Sequence, residues 1–567
     1  MRDELKKVSQ EEHNLIAMRK NRTKKTNPLV TVLLPTYNRP ESLSVAIDSV
    51  LAQSYSEFEL IVIRDGGWPI APVMQHYADP RICLIDRDEN RGKAASLNEA
   101  LHQAKGKYIC YLDDDDRWYP NHIQTLVQAL ETHSEYGVAY SDLYKVHYRP
   151  LSGGRRQILA KNVEISRDFD RMLMLQFNHV LHVSLMHRRG LLDQAGPYNE
   201  DLKVLIDWDL TRRLCFYTDF LHIPSVTGEY HAAVGECDRI SVQQRKDTAS
   251  YLRTLLTIRS TRPPKPWPCV NEMSVIVLHN RCDEVLTKSL ADLWTHGYYP
   301  CQIYVPLPSS ELDKLKTAVP NVVRVPVSET ASDEQKIDTV LAISEGDYLP
   351  LLPAGMSVEN DQVSFLERSL QPLLQSDETN VAYEIVEADQ NRWGAVFRRA
   401  DVVRVRREYP DRSVREAALA AGITIRKPEF SDYPFQFDNL LTGAGQLQRQ
   451  GRWQDAAGVY ELMGRRHGNF LWMQTLRANA LFQAGYLQDA ETIVHELNQT
   501  HPTAARLMIE ARIHRKKGNW SDAVHYYRRA KAILDEDYSP LRPDETNAAS
   551  NEALYHTQNS YLTAGDN

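Results

Sequence analysis

Tyr108-Ile109-Cys110-Tyr111-Leu112-Asp113-Asp114-Asp115-Asp116 decides the reading of this chain. Its first five residues are apolar, aromatic or β-branched, the kind that suits a buried strand. Carboxylates then follow at every position from Asp113 to Asp116. Like charges so close together repel one another and lose solvation at the end of a buried element. A hard divalent cation removes that conflict, because it takes oxygen ligands and bridges protein carboxylates to a substrate's phosphates. The other reading is a solvated acidic turn, the usual fate of a charge run. The neighbouring sequence has to arbitrate.

Upstream, strand and helix patterns alternate. Leu29 to Pro35 reads as a strand, Thr36-Tyr37-Asn38-Arg39-Pro40 as a turn, and Glu41 to Ser54 has helical apolar spacing. Phe58 to Ile63 is a second strand ending at the turn Arg64-Asp65-Gly66-Gly67. Ile82 to Ile85 is a third strand, and Lys93 to Ala104 a helix. Such alternation predicts an α/β fold with a largely parallel sheet. Ligands of such sheets bind at the carboxyl ends of the strands. Thr36 to Arg39, Asp65 and Asp113 to Asp116 all follow strands, so the topology gathers them at one edge.

Four of these stretches, in this order and spacing, resemble the family 2 inverting glycosyltransferases of GT-A fold. They are Val32 to Arg39, Phe58 to Gly66, Asn90-Arg91-Gly92-Lys93-Ala94-Ala95-Ser96-Leu97-Asn98, and Tyr111 to Asp116. The resemblance covers roughly residues 29–260 and implies a role for each matching position. Pro35, Thr36, Tyr37 and Arg39 would line the nucleotide end of the cleft. Asp65 would accept a hydrogen bond from the base, with Arg64 and Gly67 replacing an Asp and a Ser of the family turn. Lys93 would lie near the nucleotide or its phosphates, and Asp113 and Asp114 near the ribose and sugar. Asp115 would bind the metal, Mn2+ or Mg2+, with Asp116 in support. His182-Val183-Ser184-Leu185-Met186-His187-Arg188 resembles a segment along the donor sugar. Leu205-Ile206-Asp207-Trp208-Asp209 resembles the family's Glu-Asp-Trp-Asp, with Ile206 in place of the Glu. Asp207 is thereby the expected general base, although Asp207 and Asp209 also suit a helix N-terminus. Glu229-Tyr230-His231-Ala232 resembles the closing loop. His231 is read either as a further metal ligand or diphosphate contact or as an ordinary loop histidine, and Gly228 and Gly235 as hinges of a lid.

An inverting transfer needs its base away from the metal. One displacement occurs at the anomeric carbon, through an oxocarbenium-like state. Charge develops on the leaving diphosphate, where a cation stabilises it. The acceptor hydroxyl loses its proton on the opposite face.

After the Pro-rich linker 261–269 the pattern returns. Ser274 to Arg281 echoes Val32 to Arg39, Gly346 to Met356 echoes Gly106 to Asp116, and Trp393 to Arg399 echoes His182 to Arg188. The aspartates become Pro353, Ala354, Gly355 and Met356. The expectation for 270–432 is a degenerate GT-A-like α/β domain without metal or chemistry. An unrelated α/β domain is the alternative. Further on, Gly451, Gly485 and Gly518 stand 34 and 33 residues apart, each heading a Gly-aromatic/Leu-x-Asp-Ala signature. That period resembles tetratricopeptide repeats, predicting all-α helical repeats over 433–538 and a peptide-binding or dimerising surface. Residues 1–27 read as a charged extension and 539–567 as a disordered tail.

The whole composition is that of a soluble globular chain, at 42 % hydrophobic and 25 % charged. A net charge of −8 gives no general attraction to nucleic acid. There is no apolar run long enough for a transmembrane segment. Seven scattered cysteines, an odd number without a Cys-x-x-Cys pair, read as reduced thiols of a cytoplasmic protein. Arg19 to Lys25 would suit a peripheral position at the inner face of a membrane. The sequence thus implies transfer of a sugar from a nucleotide-diphospho-sugar, with UDP the expected nucleotide, to a glycan, lipid-linked or protein acceptor. A nucleotidyltransferase and a non-catalytic repeat scaffold are the alternatives. The first would carry a glycine-rich loop where Pro35 to Arg39 stand, and the second would not need Asp115 and Asp207.

Overall fold

The computed structural model describes residues 29–151, 156–163, 166–233, 248–356, 365–375, 378–385, 393–428, 436–467, 471–500 and 502–535. The N-terminal extension, Gly235, the Arg239-Ile240-Ser241 part of the closing loop and the tail lie outside them.

The first unit begins β1 (Val30–Thr36), α1 (Pro40–Leu51), β2 (Phe58–Asp65), β3 (Ile82–Arg87), α2 (Lys93–Gln103) and β4 (Tyr108–Tyr111). It continues with β5 (Arg117–Trp118), α3 (His122–Thr132), β6 (Val138–Pro150), β7 (Arg156–Asn162), α4 (Arg171–Gln176), β8 (Leu185–Arg188), α5 (Ile206–Leu214), β9 (Phe220–Ala233) and α6 (Thr248–Ser260). The strand order is β3-β2-β1-β4-β8-β6-β9-β5, with β7 beside β6. The β3-β2-β1-β4 half is parallel and β8 runs antiparallel to both β4 and β6. The sheet is covered on both faces, which explains the unbroken apolar runs of its parallel strands. Val30, Val32 and Leu34 pack on one side with Leu43, Ile47 and Leu126. Leu33, Tyr111 and Tyr140 pack on the other with Leu97 and Trp208.

The second unit repeats this plan. Its elements are β10 (Met273–Leu278), α7 (Glu284–His296), β11 (Cys301–Pro308), β12 (Val322–Val327), α8 (Asp333–Leu341), β13 (Tyr348–Pro353), α9 (Phe365–Gln375), β14 (Val381–Ile385), β15 (Gly394–Arg398), α10 (Arg399–Glu408), α11 (Val414–Ala420) and β16 (Thr424–Arg426). The strand order β12-β11-β10-β13-β15-β14-β16 matches the first seven strands of the other sheet position by position. Strand directions match as well, including the antiparallel β15 between β13 and β14 and the parallel β14–β16 pair. Close approaches recur too. A Cβ on Gly106 would meet the Thr31 backbone at 2.5 Å, and one on Gly346 would meet the Ser274 side chain at 2.6 Å.

Residues 261–269 form a docked strap where the sequence suggested a linker. Trp267 packs edge-on against Phe216 at 4.9 Å, and the Cys269 amide donates to the Phe216 carbonyl at 3.1 Å. One apolar core runs from Leu33 and Tyr140 through Phe216 and Ile258 to Met273, Tyr298 and Leu352. The proline count misled because proline also suits a tight path over an apolar surface, where no backbone donor is needed.

The described C-terminal segment is helical: α12 (Gln436–Arg449), α13 (Trp453–His467), α14 (Leu471–Ala484), α15 (Leu487–Thr500), α16 (Ala504–Lys516) and α17 (Trp520–Asp535). Gly451, Gly485 and Gly518 turn the chain between successive helices with φ of +73°, +91° and +81°, a region that favours glycine. The signature alanines Ala456, Ala490 and Ala523 are buried. Among the described residues six cysteines are free, and no helix is long and apolar enough to cross a membrane.

Candidate functional site

The carboxyl ends of β1, β2 and β4 meet as the topology demands. Thr36 closes β1, and its hydroxyl donates to Asp114 Oδ2 at 2.7 Å. Arg39, at the entry of α1, bonds Asp114 at 3.1 Å and pairs with Asp115 Oδ2 at 2.9 Å. Burial would lower the Arg39 pKa, but Asp115 and Asp114 outweigh it and raise it. Burial pushes Asp114 up to about 6, with Arg39 opposing and Asp115 adding to the rise. Asp114 is therefore held by protein groups. Asp113, Asp115 and Asp116 each present a carboxylate oxygen within 4.8 Å of the others. That set takes in Asp113, which the family likeness placed by the ribose and sugar.

Asp116 accepts the His231 backbone N–H at 2.7 Å. The His231 ring is held on both sides, with Nδ1 at 2.8 Å from the Asp115 carbonyl and 3.0 Å from Arg156, and Nε2 at 3.0 Å from Glu229. It braces the aspartate loop and is not one of the three residues whose carboxylate oxygens converge. The segment Glu229-Tyr230-His231-Ala232 is part of strand β9, and Gly228 pairs with Trp118 of β5. A Cβ at Gly228 would lie 2.7 Å from the Arg117 carbonyl, so this glycine is a close-packing position and no hinge. Glu229 went unassigned in the sequence reading. It is fully buried and receives a bidentate bond from Arg117 (2.8 Å to each oxygen), an ion pair from Lys161 at 2.8 Å and the Tyr119 hydroxyl at 2.8 Å. Burial alone would raise its pKa, yet Lys161 and Arg117 hold it well below the usual range.

At the base end, Asp65 is committed to the protein. It accepts Arg87 at 3.1 Å and the backbone amides of Arg91 at 2.9 Å and Gly92 at 2.8 Å. It thus shapes the Asn90-Arg91-Gly92 loop that leads into α2. Arg64 pairs with Asp86 and donates to the Gly67 carbonyl, fixing the glycine turn. Asn38, at φ +56°, accepts the Trp68 amide at 2.8 Å. Tyr37 and Trp68 stand exposed beside this contact. Pro35 lies inside β1, one residue before its end, and is partly exposed. A Cβ on Gly67, whose φ is +74°, would meet Asn38 Oδ1 at 2.1 Å and the Tyr37 ring at 2.9 Å. Gly67→Ala should therefore add about 1–2 kcal/mol of backbone strain and displace Tyr37. The expected result is a lower Tm in thermal denaturation, and an unchanged Tm would show that the turn relaxes around the added methyl.

Lys93 opens α2 and forms an ion pair with Asp113. Burial would lower its pKa, but Asp113, then Asp207 and Asp115, raise it. The charges of both the aspartate group and Asp207 thus favour the ammonium form of this lysine. Asp207 lies in the first turn of α5, behind Leu205, which is held left-handed at φ +60° and ψ +23°. A left-handed leucine is strained and persists only where its surroundings enforce it. Asn178 donates to Asp207 Oδ2 at 3.2 Å. Burial raises the Asp207 pKa and Lys93 opposes it. Asp209 is structural, paired with Arg213 at 2.8 Å.

The histidines of the 182–188 segment are core residues. His182 stacks on Tyr111 at 4.0 Å, and its Nε2 bonds the Tyr198 hydroxyl at 2.7 Å. Burial pushes its pKa down to about 3, with Lys93 adding to the fall, so it is neutral. His187 bonds the Tyr111 hydroxyl at 2.7 Å and the Arg188 carbonyl at 2.9 Å.

Residues 31–192 match the family described as Glycosyl transferase family 2. Uncharacterized glycosyltransferase YwdF of Bacillus subtilis is 28 % identical over 184 residues, which is 32 % of this chain and 67 % of that protein. Putative colanic acid biosynthesis glycosyl transferase WcaA of Escherichia coli is 40 % identical over 116 residues, 19 % of this chain and 42 % of that one. Among solved structures, S. aureus TarS 1-349 in complex with UDP-GlcNAc aligns at 17 % identity and a TM-score of 0.33, over 41 % of this chain and 66 % of that one. The chain thus spans less than half of one of these relatives and about two thirds of the others. The family match and the glycosyltransferase relatives identify a glycosyltransferase domain in the first unit, over residues 31–192.

Proposed function

We propose that the first unit is an inverting, metal-dependent transferase that moves a sugar from a nucleotide-diphospho-sugar, with UDP as nucleotide, to an acceptor hydroxyl. The observation that carries this reading is the Asp113/Asp115/Asp116 group at the end of β4, with Lys93 paired to Asp113 and Asp207 held separately by Asn178. The aspartate group suits a hard cation, being an all-oxygen set within 4.8 Å. When bound there, Mn2+ or Mg2+ supplies neutralisation of the charge that develops on the leaving diphosphate.

This chain's own residues do the rest. Tyr37, with Trp68 beside it, offers an aromatic wall to the base, and the loop shaped by Asp65 closes that end. Arg39 and Lys93 are cations that exchange carboxylate partners for phosphate oxygens when the donor enters. Asp207 takes the proton of the acceptor hydroxyl on an oxygen of its carboxylate. The acceptor oxygen forms its bond to the anomeric carbon as the bond from that carbon to the diphosphate oxygen breaks. The electron pair leaves with the nucleoside diphosphate, and the configuration inverts.

The second unit is read as a copy without chemistry. Support comes from the shared strand order and from what fills the equivalent cleft. Lys336, 2 % exposed, turns its ammonium onto the His279 carbonyl at 2.9 Å and onto Asn280 and Asp333. The C-terminal helices are read as tetratricopeptide-like repeats, on the spacing of their left-handed glycines and buried alanines. Mass spectrometry of products from UDP- and GDP-sugars offered with glycan, lipid-linked and peptide acceptors tests the transferase reading. A product heavier by one sugar is expected, with inverted anomeric configuration in the proton NMR spectrum of the isolated product. A nucleotidylated product would favour the nucleotidyltransferase alternative.

A further inference from the structure

A cavity of about 850 Å3 opens between the two α/β units, away from the aspartate group. That volume is in the range of ligand clefts, about 300–1,000 Å3. Ser166 to Met172 and His222 of the first unit form one wall, and Tyr299, Gln371 and Leu374 of the second unit form the other. Its most telling member is Gln371 of α9. This side chain is 1 % exposed, and neither its amide oxygen nor its amide nitrogen has a hydrogen-bond partner among the described residues. A buried amide that has surrendered its water without replacement is costly and calls for a partner from the cavity it lines.

Opposite it stands a relay of ionisable groups. Ser166 donates to Asp142 Oδ2 at 2.7 Å, Asp142 bonds His222 Nε2 at 2.9 Å, and His222 Nδ1 bonds Asp168 at 3.0 Å. The Asp142 and His222 side chains are buried, whereas that of Asp168 is 99 % exposed. Burial opposes charge on His222, but Asp142 and Asp168 outweigh it. Asp168 is therefore an oriented acceptor presented to the cavity mouth. The cations nearby are already matched, Arg171 by Asp219 at 2.6 Å and Arg167 by Asp170 at 3.7 Å. With Asp168 added the lining carries no positive excess, which disfavours phosphate or nucleotide. Fixed donors and acceptors of balanced charge, set between the apolar surfaces of Phe169, Tyr299 and Leu374, suit a neutral ligand rich in hydroxyls, since each hydroxyl both donates and accepts.

The cavity also communicates with the chemistry. Asp170 caps α4 by accepting the Leu173 amide at 3.0 Å. At the other end of this one short helix, about 9 Å long, Asn178 holds Asp207. We propose that the cavity walled by Gln371, Asp168 and His222 is a second carbohydrate site that grips a neutral oligosaccharide part of the acceptor. Its place in acceptor binding rests on the transferase reading above; its ability to bind sugar does not.

Saturation-transfer NMR on the full chain tests it, with neutral tetrasaccharides of glucose, N-acetylglucosamine, mannose and galactose, in the presence of saturating UDP and Mn2+. At least one tetrasaccharide should bind while UDP occupies the donor cleft. Gln371→Leu and Asp168→Asn should each weaken it at least fivefold and leave UDP affinity unchanged. Gln371→Leu should also raise the Tm, because an unpaired amide is replaced by an apolar group, which confirms that this variant folds. Failure of all four sugars, displacement of the sugar by UDP, or unchanged sugar affinity in both variants would overturn the proposal. Sugar binding without any UDP binding would uphold this site and reject the donor reading instead.

Discussion

Asp207→Asn is expected to lower kcat by about 10²–10⁴-fold, the range for loss of a general base, with the donor KM unchanged. The amide keeps the size of the carboxylate and its bond with Asn178 can re-form by a flip, so the fold should survive. The pH profile adds a sign. Asp207 must be ionised to accept the acceptor's proton. The rate therefore falls as pH drops through its pKa, which burial has raised. The acid limb of kcat should lie above the ordinary aspartate value of about 3.9. Lys93 lowers that pKa, so Lys93→Met should move the limb to higher pH at saturating donor. A limb that stays in place in Lys93→Met, or an Asp207→Asn enzyme of undiminished kcat, would assign the base elsewhere.

Arg212→Met should cost the most stability. Arg212 is completely buried in α5. Its guanidinium donates to the carbonyls of Leu175 at 3.1 Å, Thr261 at 2.7 Å, Arg259 at 2.7 Å and Tyr298 at 3.2 Å. Those carbonyls belong to the end of α4, to α6, to the strap and to the second unit. Burial pulls the Arg212 pKa down to about 10, which leaves it charged at neutral pH. Methionine has similar bulk and no donors, so these buried acceptors would lose their partner at once. At about 1–3 kcal/mol for a stranded buried group, partly relieved by relaxation, a loss on the order of 3–5 kcal/mol is expected. It should show as a lower Tm and as faster proteolysis at 261–269. A Tm within a degree of wild type would mean that the units do not depend on this contact.

The particular residues show what a sequence can carry. Val30 to Thr36 and Lys93 to Gln103 lie within a residue or so of their expected spans, because period and turn chemistry are local. The aspartate run itself stood out for the same reason, but the convergence of Asp113 with Asp115 and Asp116 and the commitment of Asp114 to Thr36 and Arg39 are tertiary. Glu229 was not. Its meaning depends on Arg117, Lys161 and His231, which converge only once β9 lies between β5 and β6. His182 was read toward the sugar through the family likeness of its segment; its stack on Tyr111 is tertiary. The strap at 261–269 failed on the same ground, since composition cannot show that Trp267 has a surface to cover.

The central claim is that a cation held at the aspartate group assists departure of a nucleoside diphosphate. Its most direct measurement is nucleotide release from a panel of UDP-sugars with Mn2+, by wild type and by Asp115→Ala. The account predicts Mn2+-dependent release of UDP by the wild type and its loss, by at least a hundredfold, in a folded Asp115→Ala protein. Undiminished turnover in that variant would contradict it.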